Sequence, residues 1–206
     1  MGTRGSSKEK QMRVRLAQEA ARILVESGGQ DYFVAKRKAA IHLGAEDTKN
    51  MPSNTEVEQA LFEYQRLFRS NTQPQILHAL REEAVRAMDF FDTFRPKLVG
   101  PVLQGTADEN TPITLHLFAA TVEDIGLFLM HHQIPYEIVD KRLRLSGDQQ
   151  QVFACYCFLA GKFKIVALVF TDKKSVIPMS PVDGKPMRRA GIAELQEMLT
   201  RSQLPI

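Results

Sequence analysis

Apolar residues recur at helical spacing through the first part of the chain and at strand spacing through most of the rest. Over 8–27, Val14, Leu16, Ala17, Ala20, Ala21, Leu24 and Val25 fall three and four residues apart, which predicts a helix. Gly28-Gly29 supplies its stop. Asp31 predicts the cap of a second helix over 32–43, ending at Gly44. Ser53-Asn54-Thr55-Glu56 has the form of a capping box, in which the serine hydroxyl and the glutamate satisfy each other's free amides. It predicts a third helix to about Phe68, with Val57, Leu61, Tyr64 and Phe68 along one stripe. Asn71-Thr72-Gln73-Pro74 breaks that helix. A fourth, over 74–94, carries Ile76, Leu77, Leu80, Val85, Met88 and Phe91. It ends at Arg95-Pro96, because the residue before a proline disfavours the helical region.

The texture then changes. Residues 98–104 and 112–119 are apolar, strand-like runs joined by a polar turn over 105–111. Thr121-Val122-Glu123-Asp124 is a second capping box in form and opens a helix over 121–132. Residues 136–145 read as a strand followed by a turn at Ser146-Gly147-Asp148. Strands over 151–159 and 163–171 meet in a hairpin at Ala160-Gly161-Lys162. Pro178, Pro181, Gly184 and Pro186 make an irregular loop, and Ile192, Leu195 and Leu199 share one face of a last helix over 191–201. The pattern predicts an α+β protein: a helical region over 1–95, then a mixed-sheet domain over 96–206, with a seam near 94–97. No internal repeat is present.

Composition adds bounds. With 206 residues, 44% of them hydrophobic and 25% charged, the chain has enough apolar material for one large or two small cores. No run approaches 18 apolar residues, so no membrane partner is expected. The first ten residues lack the apolar stretch of a signal peptide, which makes the cytoplasm the expected compartment. Gly2-Thr3-Arg4-Gly5-Ser6 fits a myristoylation pattern in form, but no second anchor accompanies it, and it reads as chance. Cys155 and Cys157 are placed to face the same side of a strand. Their spacing suits neither zinc nor a thioredoxin-like motif, so they read as buried, reduced thiols.

Charge sharpens the picture through its distribution. The net charge is +3, but residues 1–44 hold nine Lys/Arg against four Asp/Glu, residues 45–95 six against nine, and residues 96–206 twelve against eleven. The basic excess therefore sits in the first two helices, at Arg13, Arg15, Lys36, Arg37 and Lys38. Such a cluster can meet the phosphates of RNA; the plainer reading is a solvated helix face. Lys36, Arg37 and Lys38 cannot all share one face, since neighbours on a helix are about 100° apart. Several chemistries are missing. There is no Gly-x4-Gly-Lys-[Ser/Thr] loop, which argues against a P-loop ATPase or an ATP-dependent ligase. Neither a Gly-x-Ser-x-Gly elbow nor a His-Glu-x-x-His pair occurs.

One stretch carries a family resemblance. Leu98-Val99-Gly100-Pro101-Val102-Leu103-Gln104-Gly105-Thr106 precedes Thr111-Pro112-Ile113-Thr114-Leu115-His116-Leu117-Phe118. A helix, a strand, a Gly-Thr loop and a second strand with spaced polar residues resemble the nucleotidyltransferase fold of the DNA-polymerase-β type, over about 75–170. The resemblance implies a mixed sheet and a nucleotide phosphate held at Gly105 and Thr106. It also implies a pair of magnesium-binding carboxylates on the second strand, where the family reads Ser-Asp-Ile-Asp-Leu. Here those positions hold Pro112 and Thr114, the gap from Gly105-Thr106 is short, and 164–170 offers no third carboxylate. Neither proline nor threonine replaces an anionic magnesium ligand. The expectation is a non-catalytic member with no metal cofactor.

The remaining polar residues each keep two readings. His116 shares a face with Pro112 and Thr114; it either contacts a phosphate or base edge or is a half-buried sheet residue bonded to a neighbour. Thr106 either donates to phosphate or belongs to a turn. Lys185, Arg188 and Arg189 precede the last helix and either gather an anion or are solvated. His131-His132 complements a helix C-terminus. Function then divides three ways. The first is a degenerate nucleotidyltransferase-like protein that binds a nucleotide or RNA through Gly105, Thr106, Thr114, His116, Lys185, Arg188 and Arg189. The second is an interaction module whose helical half docks a protein partner. The third is an active transferase using magnesium with Asp108, Glu109 or Asp124 as unusual ligands.

Overall fold

The computed structural model describes residues 3–27, 31–46, 48–69, 72–145, 149–171 and 176–202. Gly2, the stop at Gly28-Gly29, the breaker residue Asn71 and the turn at Ser146-Gly147-Asp148 lie outside the described residues. Two compact units form: Met1–Gln73 with Pro181–Asp183, and Pro74–Ser180 with Gly184–Ile206.

The first unit is helical. α1 (Thr3–Ser27), α2 (Tyr32–His42) and α3 (Asn54–Phe68) contain the predicted helices, with α1 starting earlier and with Val14 and Phe68 of the predicted stripes left exposed. Leu16, Ala20, Ala21, Ala39 and Val57 are fully buried at their centre. The many alanines let helices approach closely at low side-chain entropy cost. Asp31 caps α2 by accepting from the Val34 amide at 3.0 Å. Ser53 and Glu56 form the predicted capping box on α3. Arg13 then reaches from α1 to Glu56 in a forked pair of 2.8 and 2.7 Å bonds. Asn54 Nδ2 donates to the Pro181 carbonyl at 2.6 Å, which attaches Pro181–Asp183 to this unit.

The second unit is an α+β layer structure. Its strands are β1 (Lys97–Val99), β2 (Ile113–Phe118), β3 (Glu137–Arg144), β4 (Gln150–Ala160) and β5 (Phe163–Phe170), in the spatial order β1-β2-β5-β4-β3. β2 and β5 run parallel, and the other neighbours antiparallel. One face presents Leu98, Ile113, Leu115, Leu117, Ile165, Ala167 and Val169 to a core shared with α4 (Gln73–Phe90), α6 (Glu123–His131) and α7 (Ile192–Ser202). The other face carries a smaller cluster of Phe153, Cys155, Leu168 and Phe170. Cys155 and Cys157 are unpaired, and burial pushes the Cys155 thiol up to about 11, so it stays protonated at neutral pH.

Three features differ from the sequence reading. The strand expected over 98–104 stops at Val99; Gly100 turns with φ +75 into a single helical turn, α5 (Pro101–Gln104). Proline lacks the amide a ladder needs, and its fixed φ suits a first helical position. The seam near 94–97 is not where the compact units divide: α4 packs into the sheet core, so the second unit begins at Pro74. Finally, the proline-rich segment is ordered pairing and not only loop. Met179 bridges Pro186, and Ala190 exchanges two 2.9 Å backbone bonds with Leu98, extending the sheet beyond β1.

Candidate functional site

The polar candidates of the second unit depend on the register of β1 and β2. Val99 lies opposite Thr114 and Lys97 opposite His116, so these side chains share one face of the sheet. Across β2, Thr114 pairs with Val166, His116 with Leu168 and Phe118 with Phe170. Thr114, 7% exposed, therefore sits between two valines. No carboxylate occupies this stretch of the face, and Pro112 and Thr114 supply none of the charge that a magnesium pair requires.

His116 is 1% exposed. Arg189, delivered by the strand-like pairing of Ala190 with Leu98, donates Nε–H to His116 Nδ1 at 2.9 Å. The imidazole must then be neutral, with its proton on Nε2. Burial is the main cause that drives its pKa down to about 3, and the charges of Arg189 and Lys141 add to it. The Arg189 guanidinium also donates to the Val176 carbonyl at 3.1 Å and lies over the Phe118 and Phe170 rings, 5.2 and 4.8 Å from their centroids. Arg95 approaches the same Phe118 ring at 5.7 Å. Arg95 holds φ at +47, an uncommon conformation for a non-glycine residue. Lys97, Arg95 and Arg189 thus collect around His116 and Phe118, and among the described residues none of them makes an ion pair.

The other predicted site residues have different fates. Gly105, with φ +95, closes α5: its amide donates to the Pro101 carbonyl at 2.7 Å, and the Thr106 amide to the same oxygen at 3.1 Å. Those amides serve the turn, and Thr106 is buried, so the pair is not the open phosphate cradle that the resemblance implied. Asp108 accepts from the Asn110 amide and the Thr111 hydroxyl at 3.0 and 2.7 Å. Asp124 accepts from the Thr121 amide at 2.8 Å, which with the Ala120 backbone holds its pKa down. Among the described residues no group of three or more His, Cys, Asp or Glu is placed to hold a metal ion. Asp108, Glu109 and Asp124 are therefore not gathered into such a group. Lys185 is exposed within the Met179–Pro186 pairing, Arg188 pairs with Glu194 on α7, and only Arg189 turns onto the sheet face.

The basic residues of the helical unit also separate. Arg13 is committed to Glu56, and Lys36 turns back to donate to the Pro52 carbonyl at 3.1 Å. Arg37 and Lys38 stay exposed on α2, beside Phe33 at 71% and Ile41 at 51% exposure. Arg15 instead lines a groove of about 460 Å³ between α1 and α3, with Tyr64, Leu67 and Phe68.

Sequence reasoning selected His116 and Arg189 but not the hydrogen bond between them, which joins positions 73 residues apart. It missed Arg95, Lys97 and Phe118 as site residues. The period-2 rule held a signal for Phe118, which alternates with His116; nothing linear marked the others. No protein-family model, curated protein or solved structure matches this chain.

Proposed function

We propose that this protein is a non-catalytic, nucleotidyltransferase-like binder of a nucleotide or of RNA, which takes the anion directly and not through a metal. One observation carries the reading. The sheet face on which the family would set paired carboxylates bears the opposite charge: neutral His116 under Arg189, with Lys97 beside it and Arg95 on the Phe118 ring. Guanidinium groups recognise phosphate in bidentate fashion, and a partly exposed aromatic ring gives a base a stacking surface. The missing carboxylates support binding without nucleotidyl transfer. The test is calorimetric titration of the full chain with nucleoside triphosphates and a short single-stranded RNA, at low and moderate salt. Binding that weakens with salt is expected, as counterions are released from neutralised phosphates. Absence of binding to every one of them at low salt would sink the proposal.

A second reading concerns the helical unit. The groove between α1 and α3 leaves Leu67 at 66% and Phe68 at 71% exposure, an apolar pair of the kind that anchors a partner helix. Crosslinking of the wild-type chain and a Leu67→Glu, Phe68→Glu variant to a candidate protein partner checks it; equal yields would count against docking there.

A further inference from the structure

β3 is the outer strand of the sheet: β4 lies on one side of it and, among the described residues, no strand on the other. Residues 137–142 are all exposed, and two of them are large and apolar, Ile138 at 55% and Val139 at 46%. The opposite edge differs. There β1 is only three residues long, and its central residue Leu98 already exchanges backbone bonds with Ala190.

The unused backbone groups of β3 can be placed. The Leu145 amide donates to the Gln149 carbonyl at 2.9 Å, toward β4, while the Arg144 carbonyl accepts outward from the Met179 amide at 2.8 Å. Successive residues of a strand turn their bonding groups to opposite sides, so Ile138, Asp140 and Arg142 turn theirs away from β4. Met179 occupies the edge at Arg144 and leaves the run before it open. Among the described residues, Glu137, Asp140, Lys141 and Arg142 make no ion pair.

Charged side chains on an outer strand ordinarily blunt it. On β3 their order suits one partner, the same strand of a second copy. Two identical antiparallel strands related by a two-fold axis keep every side chain on its own face only when the axis passes through a residue position. An axis at Asp140, Lys141 or Arg142 would set like charges against each other, and one at Ile138 would put Lys141 opposite Pro135. An axis at Val139 sets Glu137 of each copy against Lys141 of the other, flanking the two valines on the same face. Residues 137, 139 and 141 spend their own backbone bonds on β4, so across the new pairing they form the closer, non-hydrogen-bonded pairs. Ile138 and Asp140 exchange the outward backbone bonds, and the register stays clear of Arg144 and Met179.

We infer that β3 pairs antiparallel with β3 of a second copy about a two-fold axis at Val139, joining the two sheets into one. Each copy has one such edge, so the contact closes at two copies and does not propagate. It uses the sheet unit alone and does not rest on the nucleotide reading.

The test is sedimentation of the full chain over a range of concentrations, with amide hydrogen exchange to read the strand. A monomer–dimer equilibrium is expected, in which the Ile138 and Asp140 amides gain protection as concentration rises. Glu137→Lys and Lys141→Glu each bring like charges together, and each should weaken the dimer about tenfold. The double variant Glu137→Lys, Lys141→Glu restores opposite pairs and should dimerise as the wild type does. Both side chains are exposed, so the folded monomer should survive each change. A monomer at every concentration up to about 1 mM overturns the inference and leaves the edge blunted by its charges or kept for a strand of another protein. A dimer that neither reversal weakens, or a double variant as weak as the single ones, overturns it as well.

Discussion

In the helical unit Arg13 lies against Glu56, and Arg22 against Glu19 and Glu26. In the sheet unit Arg189 lies against a neutral histidine and the rings of Phe118 and Phe170, and Arg81 against backbone carbonyls. The sheet unit does pair some arginines, Arg86 with Glu83, Arg188 with Glu194 and Arg201 with Glu197, but those guanidinium groups are exposed. The difference separates two uses of a cation. A guanidinium neutralised by a carboxylate braces helices and has little attraction left for an outside anion. One held by neutral groups in a poorly solvated place is pre-oriented, and its charge is unspent. By this criterion the richest linear run of cations, Lys36-Arg37-Lys38, is not the best-built site in the molecule. Arg189, held by His116, the Val176 carbonyl and two aromatic rings, meets it better.

The comparison can be broken at several strengths. The largest effect belongs to the core that fixes the sheet-unit cluster. Phe91 is fully buried and packs on Phe90, Phe94, Phe128 and Phe158. Phe91→Ala should cost about 3–5 kcal/mol in denaturant unfolding. A cost below about 1 kcal/mol would show that the second core is not close-packed.

Acid should then divide the units. Folded His116 refuses a proton down to about pH 3, whereas the unfolded chain takes one up near 6.5. Its contribution is therefore present above pH 6.5 and is lost progressively as pH falls towards 3. In the helical unit Glu19 is held down to about 2, first by the Arg22 hydrogen bond, and Glu56 to about 2, first by Arg13. Their contributions last until pH falls below about 4.5, the ordinary carboxylate value. Glu58 works the other way: burial, with Asp183 nearby, raises its pKa, so the helical unit gains as Glu58 protonates. Between pH 6.5 and 4.5, amide hydrogen exchange at Leu115 and Leu117 should lose protection while Leu16 and Ala20 keep theirs. Equal loss in both would erase the distinction.

Binding gives the next effect in size. Arg95→Gln with Lys97→Gln should lower RNA affinity about tenfold and flatten its salt dependence by about one unit for each phosphate no longer neutralised. Arg13→Gln should leave both unchanged in fluorescence anisotropy, because that guanidinium already has its carboxylate. The reverse ranking would move the site to the helical unit. The smallest effect tests the caps: Ser53→Ala should cost about 1 kcal/mol, seen as a modest fall in Tm, with anion affinity unaltered.

Much of the fold was legible in the chain. Ser53 and Glu56 announced α3, Asp31 announced α2, and Gly161-Lys162 announced the β4–β5 hairpin, because caps and tight turns are local hydrogen-bond and φ requirements. That Pro112 and Thr114 carry no carboxylate was legible for the same reason: residue chemistry needs no partner to be read. Other features depended on distant chain. α4 looked like one more helix of the helical region, and only packing assigned it to the sheet. Gly105-Thr106 had two readings, phosphate loop or turn, and only the structure showed both amides donating to the Pro101 carbonyl. His116 had two readings, and the arrival of Arg189, made possible by the pairing of Ala190 with Leu98, settled it as a buried, neutral acceptor. The sequence by itself determined most of the elements and that positions 112 and 114 carry no carboxylate, since both follow from residue type and near-neighbour spacing. The tertiary structure alone decided which cations keep their charge unspent, since that depends on whether folding brings a carboxylate, a carbonyl or a ring to meet each one.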